Sequence, residues 1–151
     1  KMGIINMVRN IKQFHLEDII LLKIGKFYYS YGKDAYILSY LFNYKLNKIE
    51  EFNTYSVGFP KTSLAKVTAK LENIKINYII VDRRNNYEVD QSFDNGNLNT
   101  YQVHFKKAIK SSEIKIRLSK IVKFVLKNIN DIDMEDKMDR VERVIYETRE
   151  I

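Results

Sequence analysis

Two apolar runs of strand length, DIILLKIG at 18–25 and KINYIIVDR at 75–83, constrain most strongly what this chain can become. The first shows no polar alternation across Ile19–Leu22, so both its faces need cover, as in the buried strand of an α/β sheet. The second is the strongest strand signal in the chain. Around them, apolar residues recur at helical spacing. GIINMVRNIKQF (3–14) carries Ile4, Ile5, Val8, Ile11 and Phe14 on one stripe, and KDAYILSYLFNYKL (33–46) carries Ala35, Leu38, Leu41 and Phe42. KTSLAKVTAKLENI (61–74) turns Leu64, Val67, Leu71 and Ile74 inward, with Thr62 or Ser63 as its cap. Strands alternating with helices of this length give an α/β fold.

The weaker segments fill in the order. KFYYSY (26–31) reads as a second strand or an extended continuation of the first. YSVGF reads as a short strand closed by Pro60, the only proline. NNYEVD (85–90) can pair with the 75–83 strand across an Arg-Asn-Asn turn, QSFDNGNLN (91–99) is a polar loop, and TYQVHFKKAI (100–109) alternates as a last strand. From Ser111-Ser112-Glu113 a helix is expected, with Ile114, Leu118, Ile121, Val122, Val125 and Ile129 as its stripe. After a hinge at NDID (130–133), a second helix places Met134, Met138, Val141 and Ile145 on one side. The short connection favours an antiparallel helical hairpin. The expected organisation is therefore an α/β domain over 1–109 and a hairpin appendage over 110–151.

Charge is segregated by element. The chain carries +7 overall, yet residues 110–129 hold six Lys/Arg against one acid, and 130–151 hold four against eight. In a hairpin the two excesses can neutralise each other; alternatively the basic helix faces nucleic acid, or the pair docks another protein. With no cysteine, thiol catalysis, disulfides and thiolate metal sites are excluded. His15 and His104 are far apart and fit no metal-ligand spacing. Asp82, Glu88 and Asp90 lie near strand ends, with no spacing rule to make them a cation site. No phosphate-cradling Gly-rich loop and no nucleophile elbow is present, so neither an enzyme nor a cofactor is expected. No run is long enough to span a membrane and no secretory signal is visible, so a cytoplasmic protein is expected.

That leaves the aromatic cluster IGKFYYSYG at 24–32. On a strand, Phe27, Tyr29 and Tyr31 share one face and Tyr28 takes the other. Either set can be core, a stacking surface for bases or a protein-binding patch. The longer stretch LLKIGKFYYSYGKDAYILSYLF resembles the N-terminal mismatch-binding domain, domain I, of the DNA mismatch-repair MutS family. Gly25, Phe27 and Tyr28 match the family's Gly-Asp-Phe-Tyr pattern, and KDA (33–35) matches the start of the following helix. A second block, VGFPKTSLAKVTAKLENIKINYIIVD (57–82), carries the family's Gly-x-Pro and helix through Gly58, Pro60, Leu64, Ala65 and Lys66. The resemblance covers about residues 15–90.

It implies a mixed β-sheet with flanking helices and a non-enzymatic DNA-binding role, similar to a stand-alone mismatch-recognition domain without the family's ATPase. In the family the Phe stacks on a mispaired base and a Glu two residues later accepts a hydrogen bond from it. By resemblance the DNA-binding residues are Phe27 and Tyr29, with Lys26 beside them and Lys23 and Lys33 as further phosphate contacts. Tyr29 stands where the family has Glu, so mismatch specificity does not follow from the resemblance. The partner implied is DNA, distorted or mismatched duplex in particular. The alternative is a protein–protein interaction module that keeps the fold without contacting DNA, with the C-terminal helices as its docking surface.

Overall fold

The structure, a computed structural model, describes residues 3–147. It divides after Ser112 into two compact units, the boundary falling within one long helix. The first unit runs α1 (Ile4–Lys12), β1 (Ile19–Ile24), β2 (Phe27–Tyr31), α2 (Lys33–Phe42), β3 (Asn47–Ile49), β4 (Thr54–Pro60), α3 (Leu64–Asn73), β5 (Tyr78–Asp82) and β6 (Glu88–Phe93). Into it also falls the start of α4 (Tyr101–Lys127). The strands form one mixed sheet in the order β3-β4-β2-β1-β5-β6. β1 and β5 pair in parallel and the other neighbours are antiparallel.

The unbroken apolar run of β1 is explained by its central place. Ile19 and Leu21 join one core with Tyr28, Phe59, Tyr78 and the inward faces of α2, α3 and α4. Ile20 and Leu22 join a second, smaller core with Ile79, Val81 and Val8 of α1. Successive residues of a strand point to opposite faces, so a strand covered on both sides is apolar throughout. Each fully buried Leu or Ile contributes about 1.5–3 kcal/mol. The two faces are unequal: three helices cover the first, and α1 packs on the second through Val8, Ile4 and Ile11.

A buried carboxylate ties the helices to the central strand. Asp34, in the first turn of α2, accepts hydrogen bonds from Lys12 Nζ at 2.6 Å, Tyr101 Oη at 2.6 Å and the Ile20 amide at 2.9 Å. One side chain thereby joins α1, α2, α4 and β1. Burial pushes the Asp34 carboxyl up from its ordinary range, and Lys12 and the other donors act against that rise. The same carboxylate and burial hold the Tyr101 hydroxyl well above its usual range, with burial the larger cause.

Several sequence expectations are corrected. Residues 100–109 are not a strand; from Tyr101 they open α4. Their alternation also fits a helix, because Tyr101, Phe105 and Ala108 fall on one helical face and turn toward the core while Val103 is exposed. The helix therefore starts well before Ser111, where Asn99 Oδ1 accepts from the Tyr101 amide. The polar stretch after Asp90 continues β6 as far as Phe93. α2 ends at Phe42 rather than Leu46, with Asn43 in the left-handed region, and β3 was not foreseen. Neither Thr62 nor Ser63 caps α3 through its side chain; a single 3-10 turn, Lys61–Ser63, leads into it.

The second unit holds the rest of α4, a turn at 128–133 and α5 (Met134–Glu147). Met134 is buried and Val125 half-buried, but most other apolar positions here are exposed. Its ion pairs among the described residues, Asp133–Lys137 and Asp136–Arg140, lie at the start of and within α5, and none reaches α4. No helix among the described residues is long and apolar enough to cross a membrane.

Candidate nucleic-acid interface

β1 and β2 are joined by Gly25-Lys26, a two-residue loop flanked by the Ile24–Phe27 pair. Gly25 has φ 62°, the positive value that a type II′ hairpin requires at its first loop residue. The loop sets the register of β2, and with it the fate of each ring. Tyr28 is buried and stacks on Phe59 with centroids 5.7 Å apart. Phe27, Tyr29 and Tyr31 fall on the other face, the one that α1 covers. Phe27 is 44% exposed at the first position of β2, between Ile24 of β1 and Pro60 of β4. Its ring is tilted against Tyr29 at 6.1 Å. Tyr31 packs into the second core, and burial, with Tyr29 and Tyr87 nearby, pushes its hydroxyl up to about 12.

Tyr29 owes its position to Gly58 across the sheet. A Cβ at Gly58 would sit 2.7 Å from Tyr29 Cε1 and 3.0 Å from Cδ1, so the ring lies on bare backbone. Gly58→Ala is expected to cost about 1–3 kcal/mol by overpacking, or to drive Tyr29 off its partner. Urea unfolding checks this. The cost should largely vanish when Tyr29→Ala is already present, because the two positions are in contact.

The basic residues divide. Lys26 is exposed at the hairpin tip beside Phe27. Lys23 pairs with Tyr28 in β1 and so stands on the opposite face from Phe27 and Tyr29, half-buried. Lys33 starts α2 and places its ammonium 5.1 Å from the centre of the Phe105 ring. The structure therefore gathers Phe27, Tyr29 and Lys26, and sets Lys23 and Lys33 apart from them.

Three cations that sequence reasoning passed over gather at the same end of the sheet. Arg83 and Arg84, exposed in the turn after β5, line a shallow hollow with Ile24 and Gly25. Lys61 follows β4, and its amide donates to Lys26 O at 2.9 Å. The signal was present in the parallel pairing of the two apolar runs, which brings their C-terminal ends, Gly25 and Arg83-Arg84, together. The turn behind the arginines is strained, with Asn86 and Tyr87 both at positive φ, 52° and 59°. Its acids are engaged locally: Asp82 Oδ1 accepts from the Arg84 amide and Glu88 Oε2 from Asn85 Nδ2. The histidines lie elsewhere, His15 Nδ1 2.8 Å from Asp18 Oδ2 and His104 Nδ1 3.1 Å from Thr100 O.

The family model of MutS domain I matches residues 2–122. The chain belongs to the MutS domain I family. The match extends past the two sequence blocks at both ends and takes in α1 and most of α4. No curated protein matches the chain. Within this MutS domain I, the Asp of KDA has a structural duty, as Asp34 is the buried carboxylate that ties α2 to α1 and α4.

Proposed function

We propose that this MutS domain I binds DNA by pressing Phe27 against a base at a weak point of the duplex, with Tyr29 supporting the ring and Lys26, Arg83 and Arg84 on flanking phosphates. The observation that carries this reading is the exposure of Phe27, paired with Ile24 of the basic hollow, while the next ring, Tyr28, is buried. An aromatic wedge opens a base step at a cost of a few kcal/mol, least where pairing is already disturbed. Lys23 and Lys33 join only where bound DNA reaches past this end of the sheet.

Tyr29 changes what is read. Its hydroxyl both donates and accepts, whereas the family Glu, when ionised, only accepts. Selection here then rests on how easily a step unstacks rather than on the identity of the base. The role is binding, and no reacting group is called for.

Fluorescence anisotropy with matched, mismatched and single-stranded DNA at low and near-physiological salt tests this. Tighter binding to several different mismatches, kept as salt rises, is the expected result. Equal affinity for all three that fades with salt would reduce it to generic attraction, and no binding would overturn it. Replacing Arg83 and Arg84 by Ala should weaken binding to every duplex. It should also flatten the log–log salt dependence by about 0.9 for each phosphate that is no longer neutralised.

A further inference from the structure

The turn between β6 and α4 holds the only Asn-Gly pair in the chain, Asn95-Gly96. The local structure calls for both residues. Gly96 has φ 58°, a left-handed value that glycine adopts without strain. Asn95 donates twice to Asn77 Oδ1, from its backbone amide at 2.7 Å and from Nδ2 at 3.2 Å. Asp94 Oδ1 completes this clamp, accepting from Asn77 Nδ2 at 3.0 Å and from the Gly96 amide at 2.7 Å. Asn77 itself is buried where several elements begin. Its carbonyl accepts from the Ile19 amide of β1. Its amide donates to Asn99 Oδ1, which also accepts from the Tyr101 amide of α4.

An Asn-Gly pair can modify itself. With no side chain in the way, the Gly nitrogen attacks the Asn carboxamide carbon. A five-membered imide closes, and ammonia leaves with the former carboxamide nitrogen and the proton from the Gly amide. Water then opens the ring at either carbonyl, giving isoaspartate or aspartate. Ring closure needs the Asn95 Cβ and the Gly96 nitrogen nearly eclipsed about the Cα–C bond. At ψ 5° for Asn95 they are turned well apart. The two reacting groups are also held elsewhere, the Gly96 N–H by Asp94 and the carboxamide by Asn77. The reaction therefore waits for the turn to open.

We propose that Asn95 is a modification site gated by Asn77 and Asp94, converted to isoaspartate or aspartate only when this turn opens. The product cannot rebuild the clamp. It has no Nδ2 to donate, it brings a second carboxylate beside Asp94, and its isoaspartyl form carries an extra carbon in the main chain. Asn77 then loses a partner in a buried place, and the start of α4 that hangs on it through Asn99 is loosened. None of this depends on DNA binding.

The test is peptide mass spectrometry of the 151-residue chain, incubated at neutral pH both folded and in denaturant, following loss of the Asn95 carboxamide. Asp94→Ala, at an exposed position, is treated in the same way, with circular dichroism to verify its fold. Asn95 should convert readily in denaturant and about tenfold or more slowly in the folded chain, as the loss of a hydrogen bond to a charged acceptor implies. Asp94→Ala should remove most of that protection while leaving the denatured rate unchanged. Hydrogen exchange at 99–105 should be faster in the converted protein than in the unconverted one. Equal folded and denatured rates, or no conversion in either, would overturn the proposal, and both are read from the unaltered chain alone. A folded Asp94→Ala chain that keeps full protection would also overturn it, and unchanged exchange at 99–105 would overturn the consequence for α4.

Discussion

Asp34→Ala lowers the unfolding free energy by about 3–5 kcal/mol, the expected cost of removing one partner from a buried, hydrogen-bonded ion pair. The size follows from what is stranded. The Tyr101 hydroxyl and the Ile20 amide lose their acceptor in a place that water does not reach, and Lys12 loses its counter-charge. Against a typical total of about 5–15 kcal/mol, this is a large share. Denaturant titration reads it directly, as a fall in midpoint with the slope retained. Lys12→Met should also destabilise, with a distinctive pH dependence. Burial already raises the Asp34 carboxyl and Lys12 opposes the rise, so without Lys12 the folded-state value climbs further. The folded state then binds a proton that the unfolded state still releases, so stability grows as pH falls through the raised folded value. The deficit of Lys12→Met should therefore shrink in mild acid. A deficit independent of pH would mean that Asp34 is held by its neutral partners alone.

Phe27→Ala should weaken binding to a mismatched duplex by about 5- to 150-fold, because base–aromatic stacking is worth about 1–3 kcal/mol. Matched duplex, where the wedge is not driven in, should be affected far less. The selectivity of the effect is the informative part, since Phe27 sits at the surface and its removal leaves both cores intact. Titrations of both duplexes at one salt concentration suffice. Equal weakening on both would reduce Phe27 to a surface contact, and no weakening would remove it from the interface.

The sequence made the architecture legible where period and burial agree. β1 and β5 stood out because both faces of each are covered, and α3 because its inward residues fall on one stripe. Residues 100–109 misled because Tyr101, Val103 and Phe105 alternate while Tyr101, Phe105 and Ala108 also share a helical face. Which pattern wins depends on the core that α4 meets, and that core is assembled from α2, α3 and the sheet. At the candidate interface, the alternation of Phe27, Tyr28 and Tyr29 was readable from the strand period. The division of the lysines was not. Lys23 and Lys26 are three residues apart in sequence, yet the hairpin turns one to the face of Tyr28 and leaves the other at the tip. Arg83 and Arg84 come beside Ile24 and Gly25 only through pairing between segments nearly sixty residues apart in the chain.

The two-residue loop at Gly25-Lys26 makes the hairpin intolerant of changes in length. One residue more or fewer in β2 would exchange its faces, moving the Tyr28 ring out of the larger core to the face that α1 covers and pressing Phe27 and Tyr29 into a core shaped for neither. Insertions and deletions should therefore accumulate in the polar turn between β6 and α4 and be purged from 24–31. Over evolutionary time this segment should be freer to change its side chains than its length.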